Sequence, residues 1–174
     1  SVYEASRGCP FFCTFCFRAG FRGKYREKTF GHVKKEIELM KKAGIEYFFL
    51  IDEVFGVSRG RAFRICDEIK KNRLKWGCET RPEYLDEELI KKMADSGCLE
   101  VRFGLESANK DVLNAIGKGS MDLNKLKDCV NLLVNNNVNV KLFCIAGLPH
   151  SSRETIRETL NYVLQFDMLK VNAA

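Results

Sequence analysis

No stretch of this chain is apolar for long enough to cross a membrane, and none reads as a secretory signal peptide. Histidine is scarce. His32 and His150 are the only two, and they lie far apart. The formal net charge is +6, yet no block of one sign accounts for it. Lys34, Lys35, Lys41 and Lys42 alternate with Glu36 and Glu38, the pattern of a solvated helix face rather than a nucleic-acid patch. No sequence repeat of about 20–50 residues exists beyond the strand–helix unit itself. Together these absences argue against a membrane span, a repeat array and a broad nucleic-acid surface.

Cysteine, by contrast, is plentiful, with eight in 174 residues. An even count suggests disulfides in a short secreted chain. This chain is long enough to bury a core without staples, and its 45% hydrophobic and 30% charged residues fit one compact globular domain. Cys66 and Cys129 fall in helical patterns, and Cys78 and Cys144 in strand patterns. They read as small buried apolar residues, as does Cys98 at the turn after Gly97.

Cys9, Cys13 and Cys16 are different. They form a Cys-x3-Cys-x2-Cys loop just after a short apolar strand. Structural zinc takes four ligands, commonly from two paired knuckles, and only one such pair exists here. Three thiolates suit a cubane iron–sulfur cluster, which has four irons and would keep one open. Zinc remains the competing reading of the loop by itself, in a zinc-stabilised module that would bind nucleic acid through the basic-aromatic segment that follows. Just beyond the loop, Phe17, Phe21 and Tyr25 are interleaved with Arg18, Arg22, Lys24 and Arg26, a basic-aromatic segment suited to an anionic ligand or to solvent.

Strand and helix patterns alternate along the rest of the chain. Strands are expected over Val2–Ser6, Glu46–Asp52, Lys75–Thr80, Leu99–Glu106, Asn139–Ala146 and Lys170–Ala173. Helices are expected over Thr29–Ala43, Ser58–Asn72, Asp86–Ser96, Asn109–Ile116, Met121–Asn135 and Ser151–Phe166. Asp86 with Leu89, and Ser151 with Glu154, supply start signals. Single crossover helices between strands imply a parallel α/β sheet. About six units would curl into a partial TIM-like barrel, with an open doubly wound sheet as the alternative. Because the chain starts and stops on strands, it is expected to be the core of a longer protein.

Parallel strands buried on both faces should read as continuous apolar runs. Several here carry charges at alternating positions instead: Glu4 with Ser6, Glu79 with Arg81, and Arg102 with Glu106. Alternation puts each pair on one face. Such residues would line a lumen, unless they form a structural salt bridge such as Glu79 with Arg102. Asp52, Glu53, Arg81, Glu106, Ser107 and Gly147 all fall near strand C-termini, where barrel enzymes keep their chemistry.

The cysteine loop, followed in order by Ile51-Asp52-Glu53-Val54-Phe55, Cys78-Glu79-Thr80-Arg81-Pro82, Gly104-Leu105-Glu106-Ser107 and Ile145-Ala146-Gly147-Leu148-Pro149, resembles the radical S-adenosylmethionine (SAM) superfamily over essentially the whole chain. The style of these motifs is similar to the cobalamin-linked subgroup. The second-strand segment departs from the common Gly-Gly-Glu form. The methylthiotransferase branch fits less well, since it carries Asn where Pro10-Phe11 stands and Gln-Asn where Asp52-Glu53 stands. The resemblance implies a partial (β/α)6 barrel holding a [4Fe–4S] cluster on Cys9, Cys13 and Cys16, with SAM on its open iron. It implies that Phe15 packs near adenine, Asp52 or Glu53 takes the SAM amino group, and Glu106 and Ser107 meet its ribose or methionine end. Ile145 and Gly147 would flank adenine, and Arg81 would take the carboxylate of SAM or of a substrate. It further implies reductive cleavage of SAM to methionine and a 5′-deoxyadenosyl radical that takes hydrogen from a substrate not legible here. The electron would come from a donor such as flavodoxin or ferredoxin. Methyl transfer would use cobalamin held by a domain outside this chain, and a cyclase or rearrangement is the rival outcome. Free thiolates and an oxygen-sensitive cluster imply a reducing cytoplasm, and nucleic acid is not an expected partner.

Overall fold

The computed structural model describes residues 1–17, 24–167 and 170–174. Its frame is a parallel sheet of six strands in the spatial order β1 (Val2–Tyr3), β4 (Tyr47–Phe55), β5 (Lys75–Thr80), β6 (Cys98–Glu106), β7 (Asn139–Cys144), β8 (Val171–Ala173). The connections carry α1 (Phe30–Lys42), α2 (Arg59–Lys71), α3 (Glu87–Asp95), the pair α4 (Lys110–Ala115) and α5 (Leu123–Asn135), and α6 (Arg153–Val163). This is the arc of strand–helix units that the alternating pattern predicts. Among the described residues no helix is long and apolar enough to cross a membrane.

Local chemistry sets the helix boundaries. Thr29 caps α1 by accepting the His32 N–H, and Gly44 beyond its end takes a left-handed φ of +75°. Asp86 caps α3 through the Leu89 N–H at 2.8 Å, as its position predicts. Ser152 rather than Ser151 starts α6, in a reciprocal capping box with Thr155. Each helix turns an apolar stripe inward, Leu89, Ile90 and Met93 on α3 and Leu126, Val130 and Leu133 on α5. Every such fully buried side chain stabilises the fold by about 1.5–3 kcal/mol. In the centre of the sheet Trp76 is fully buried, donates to Ser96 Oγ at 3.1 Å and meets Phe55 edge-on at 5.2 Å. Cys98 is not in a turn but opens β6, buried.

Two departures from the expected strands matter for the site. The first strand is not continuous over Val2–Ser6. It breaks after Tyr3, and the chain re-forms as β2 (Ser6–Arg7), antiparallel to β3 (Arg26–Glu27). The cysteine loop is therefore an excursion from a two-stranded ribbon, closed at its base by Lys28 N–H to Ala5 O at 3.0 Å. Strand β4 also runs on to Phe55, so Asp52 and Glu53 lie within it, where its pairing with β5 shifts register between Leu50 and Phe55. Of the basic-aromatic segment, Arg18, Phe21 and Arg22 lie outside the described residues. Arg26 belongs to the ribbon, and Tyr25 just before it donates its hydroxyl to Glu27 at 2.8 Å.

Candidate active site

The cysteine loop crosses the C-terminal ends of the strands and roofs a cavity of about 410 Å³. Cys9, Cys13 and Cys16 all line this cavity, half-buried and free of disulfides. The loop is fastened by specific contacts. Cys16 N–H closes a turn onto Cys13 O at 3.0 Å, and Thr14 N–H reaches Ile116 O at the end of α4, also at 3.0 Å. Phe11 meets the Tyr84 ring edge-on at 6.0 Å and lies under the Arg81 guanidinium, 3.7 Å from the ring centre. Gly117, with φ +71°, lets the chain pass close beneath Phe12 O, only 3.1 Å from where a Cβ would sit.

Burial pushes the Cys9 thiol above its usual range, against the pull of the Phe11 N–H and the Arg81 charge. Among the described residues no three Cys, His, Asp or Glu side chains converge on one point as a single ion requires. A cubane makes a different demand, since each thiolate takes a different iron. Cys9, Cys13 and Cys16 lining one cavity are compatible with it. The other cysteines are poor ligands. Burial lifts Cys66 to about 12 and Cys129 to about 11, and pushes Cys78 well above its usual value, so all three stay protonated in the core.

Opposite the loop, Glu106 ends β6 with a left-handed φ of +61°. Its backbone forms a three-residue turn closed by Ser107 N–H to Leu105 O at 2.7 Å, a conformation that is strained for a non-glycine residue. Its carboxylate accepts from Lys118 Nζ at 2.9 Å, and the same ammonium donates to Gly104 O. Both side chains are less than a tenth exposed yet line the cavity. A Cβ at Gly104 would meet Glu106 Oε1 and Lys118 Nζ, so a larger residue there would force these two side-chain ends to shift.

The residues expected at this site divide between several places. Phe15, Glu53, Arg81 and Glu106 line the main cavity. Ser107 and Ile145 line a smaller side cavity of about 150 Å³, which Glu106 also borders. The Ser107 hydroxyl there lies 3.3 Å from Thr159 Oγ1 and accepts from the Asn109 N–H at 3.1 Å. Gly147 borders neither cavity. It takes up a φ of +83° in the turn after β7. Asp52 faces away, towards the ribbon, where its carboxylate accepts from Ala5 N–H at 2.7 Å and from the Ser6 hydroxyl. Glu79 lines the cavity but does not pair with Arg102. That cation turns to Glu100 on its own strand and lies 4.0 Å from the Phe49 ring centre. Lys118 and Phe11 are functional candidates that sequence reasoning passed over. The Gly117-Lys118-Gly119 turn is the only local signal for the first.

Asp52 is buried against the ribbon. Burial pushes its carboxyl above the usual range, so the folded state holds a proton more tightly than the unfolded chain. Its contribution to stability is therefore full below the ordinary carboxylate value and is lost as pH rises through the raised one. Asp52→Asn should flatten that part of the stability–pH curve in urea unfolding. Asp52→Ala, which deserts two buried donors, should cost about 1–3 kcal/mol at neutral pH.

The family model described as Radical SAM superfamily matches residues 3–163. Among curated proteins, an uncharacterized methyltransferase of Pyrococcus horikoshii is 30% identical over 171 residues, covering 96% of this chain and 37% of its own length. The anaerobic magnesium-protoporphyrin IX monomethyl ester cyclase of Rubrivivax gelatinosus is 32% identical over 164 residues, covering 91% of this chain and 29% of its own. The chain thus spans about a third of the length of such relatives. Among solved structures, the radical SAM methyltransferase TsrM of Kitasatospora setae, bound to tryptophan and a SAM analog, superposes with a TM-score of 0.89. It is 21% identical and covers 99% of this chain and 35% of its own, which makes it a likeness of fold.

Proposed function

The chain belongs to the radical SAM superfamily, and from that premise we propose that it is the catalytic core of an enzyme that cleaves SAM reductively to start chemistry on a second substrate. One observation carries the reading: the three loop cysteines and the buried Glu106–Lys118 pair face each other across a single cavity at the strand ends. A [4Fe–4S] cluster on Cys9, Cys13 and Cys16 would supply one electron to a carbon–sulfur bond of SAM, giving methionine and a 5′-deoxyadenosyl radical.

The protein's part is to bind, orient and exclude water. Glu53 and Glu106 offer acceptors to the amino group and ribose hydroxyls of SAM. Lys118 and Arg81 are the buried cations available to its carboxylate. Phe15 packs against the ligand from the loop side. The side cavity bordered by Ser107 and Ile145 is the place for adenine, with Gly147 turning the chain beyond it. The electron comes from a one-electron donor of the flavodoxin or ferredoxin class, and the protein works in the reducing cytoplasm. Methyltransferase and cyclase names both occur among the relatives. Transfer of a methyl group through cobalamin, bound by sequence flanking this core, is the favoured outcome on motif style, and a cyclisation is the second reading.

The test is anaerobic reconstitution with iron and sulfide, followed by SAM and dithionite. The expected result is a broad visible absorption band and the formation of 5′-deoxyadenosine and methionine in equal amounts. Stoichiometric zinc with no iron uptake would return the loop to the zinc reading.

A further inference from the structure

Three cations line the main cavity, Arg81, Arg102 and Lys118, together with the carboxylates of Glu53, Glu79 and Glu106. Two of the cations are matched. Lys118 and Glu106 have side chains 6% and 8% exposed, and Arg102 and Glu100 are each 31% exposed. Arg81 is not. Its side chain is 7% exposed, whereas Glu83, its partner at 2.6 Å, is 27% exposed. Water screens the carboxylate more than the guanidinium. The Arg81 Nη1 is also buried with no hydrogen-bond partner among the described residues, while Nε and Nη2 are held by Glu83 and Nη2 reaches Ser120 at 3.5 Å. A buried cation so incompletely balanced is costly unless something negative faces it. It lies over Phe11, two residues from Cys9 in the cysteine loop.

We propose that Arg81 sets the electron affinity of the cluster: its fixed positive charge raises the reduction potential of the group on Cys9, Cys13 and Cys16, and stacking on Phe11 holds it against the loop. This rests on the reading that those three thiolates hold a [4Fe–4S] cluster. One-electron reduction by an external donor adds one negative charge to the cluster and breaks no bond. The attraction of a nearby cation grows with that charge, so the cation favours the reduced form, and most strongly where the dielectric is low. The role is distinct from binding any carboxylate, because it operates before SAM arrives.

The experiment is an EPR-monitored dithionite titration of the anaerobically reconstituted chain without SAM, with iron content measured for every variant. Arg81→Gln should lower the reduction equilibrium constant at least about tenfold, which is about 59 mV for one electron. Arg81→Lys, which keeps the charge, should recover most of that shift. Glu83→Gln, which removes the counter-charge, should move the potential the opposite way. An Arg81→Gln variant with full iron and an unchanged potential would overturn the proposal, as would an Arg81→Lys variant shifted as far as Arg81→Gln. Should Arg81→Gln fail to hold iron, Glu83→Gln decides, and an unchanged or lowered potential there overturns it. Failure of the wild-type chain to take up iron would instead defeat the cluster reading itself.

Discussion

A Cys13→Ala variant, reconstituted anaerobically, is expected to hold essentially no [4Fe–4S] cluster, and Cys9→Ala and Cys16→Ala should behave alike. Each thiolate would hold its own iron, so loss of one leaves a corner without a protein ligand. No other cysteine can take its place. Cys66, Cys78, Cys98 and Cys129 are buried in the core, and Cys144 lines the side cavity rather than the main one. Ser substitution at Cys66 or Cys144 should leave iron content and absorption at wild-type level. Iron and acid-labile sulfide per chain, read beside the visible spectrum, make the comparison. Retention of a full cluster in the triple Cys→Ala variant would move the cluster elsewhere.

Lys118→Met should have the next largest effect, and on two quantities at once. The Lys118–Glu106 pair is buried on both sides, and removing one member leaves an uncompensated charge, at a cost of about 3–5 kcal/mol. Denaturant unfolding should show that loss, and equilibrium dialysis should show weakened SAM binding. The double variant Lys118→Met/Glu106→Leu separates the two effects. Two apolar side chains of similar volume can replace a buried pair at little cost, so stability should largely return while SAM affinity does not. If affinity returned along with stability, the pair would be structural only.

The gathering of Cys9, Cys13 and Cys16 on one cavity was legible in sequence because the three sit in one short loop, where spacing alone carries the information. The parallel arc was legible from alternation, and Glu106 from a charge on a strand that ought to be apolar. Asp52 and Glu53 show where such reasoning stops. Adjacent residues on a strand point to opposite faces, so the dipeptide marks a special position without saying which carboxylate enters the cavity. The ribbon settles it, and its second strand, Arg26–Glu27, pairs across the whole cysteine loop with no local signal. Lys118 was hidden for a similar reason. It comes twelve residues after Glu106 along the chain and returns to it only through the path of α4. Arg102 chose Glu100 over Glu79 because the same-face neighbour two residues away was within reach, a competition that pattern alone does not rank.

Thr14 N–H to Ile116 O, and the close passage of Phe12 over Gly117, tie the loop that carries the thiols to the turn that carries Lys118. Two binding events that share one mechanical support are thermodynamically linked. Whatever seats the loop also seats the ammonium that faces Glu106, so a cluster in place should tighten SAM. By reciprocity SAM should then slow the loss of iron to a chelator, with the two equilibria coupled by the same factor. The cubane and its co-substrate would thus act as each other's effectors, through a support only a few residues wide.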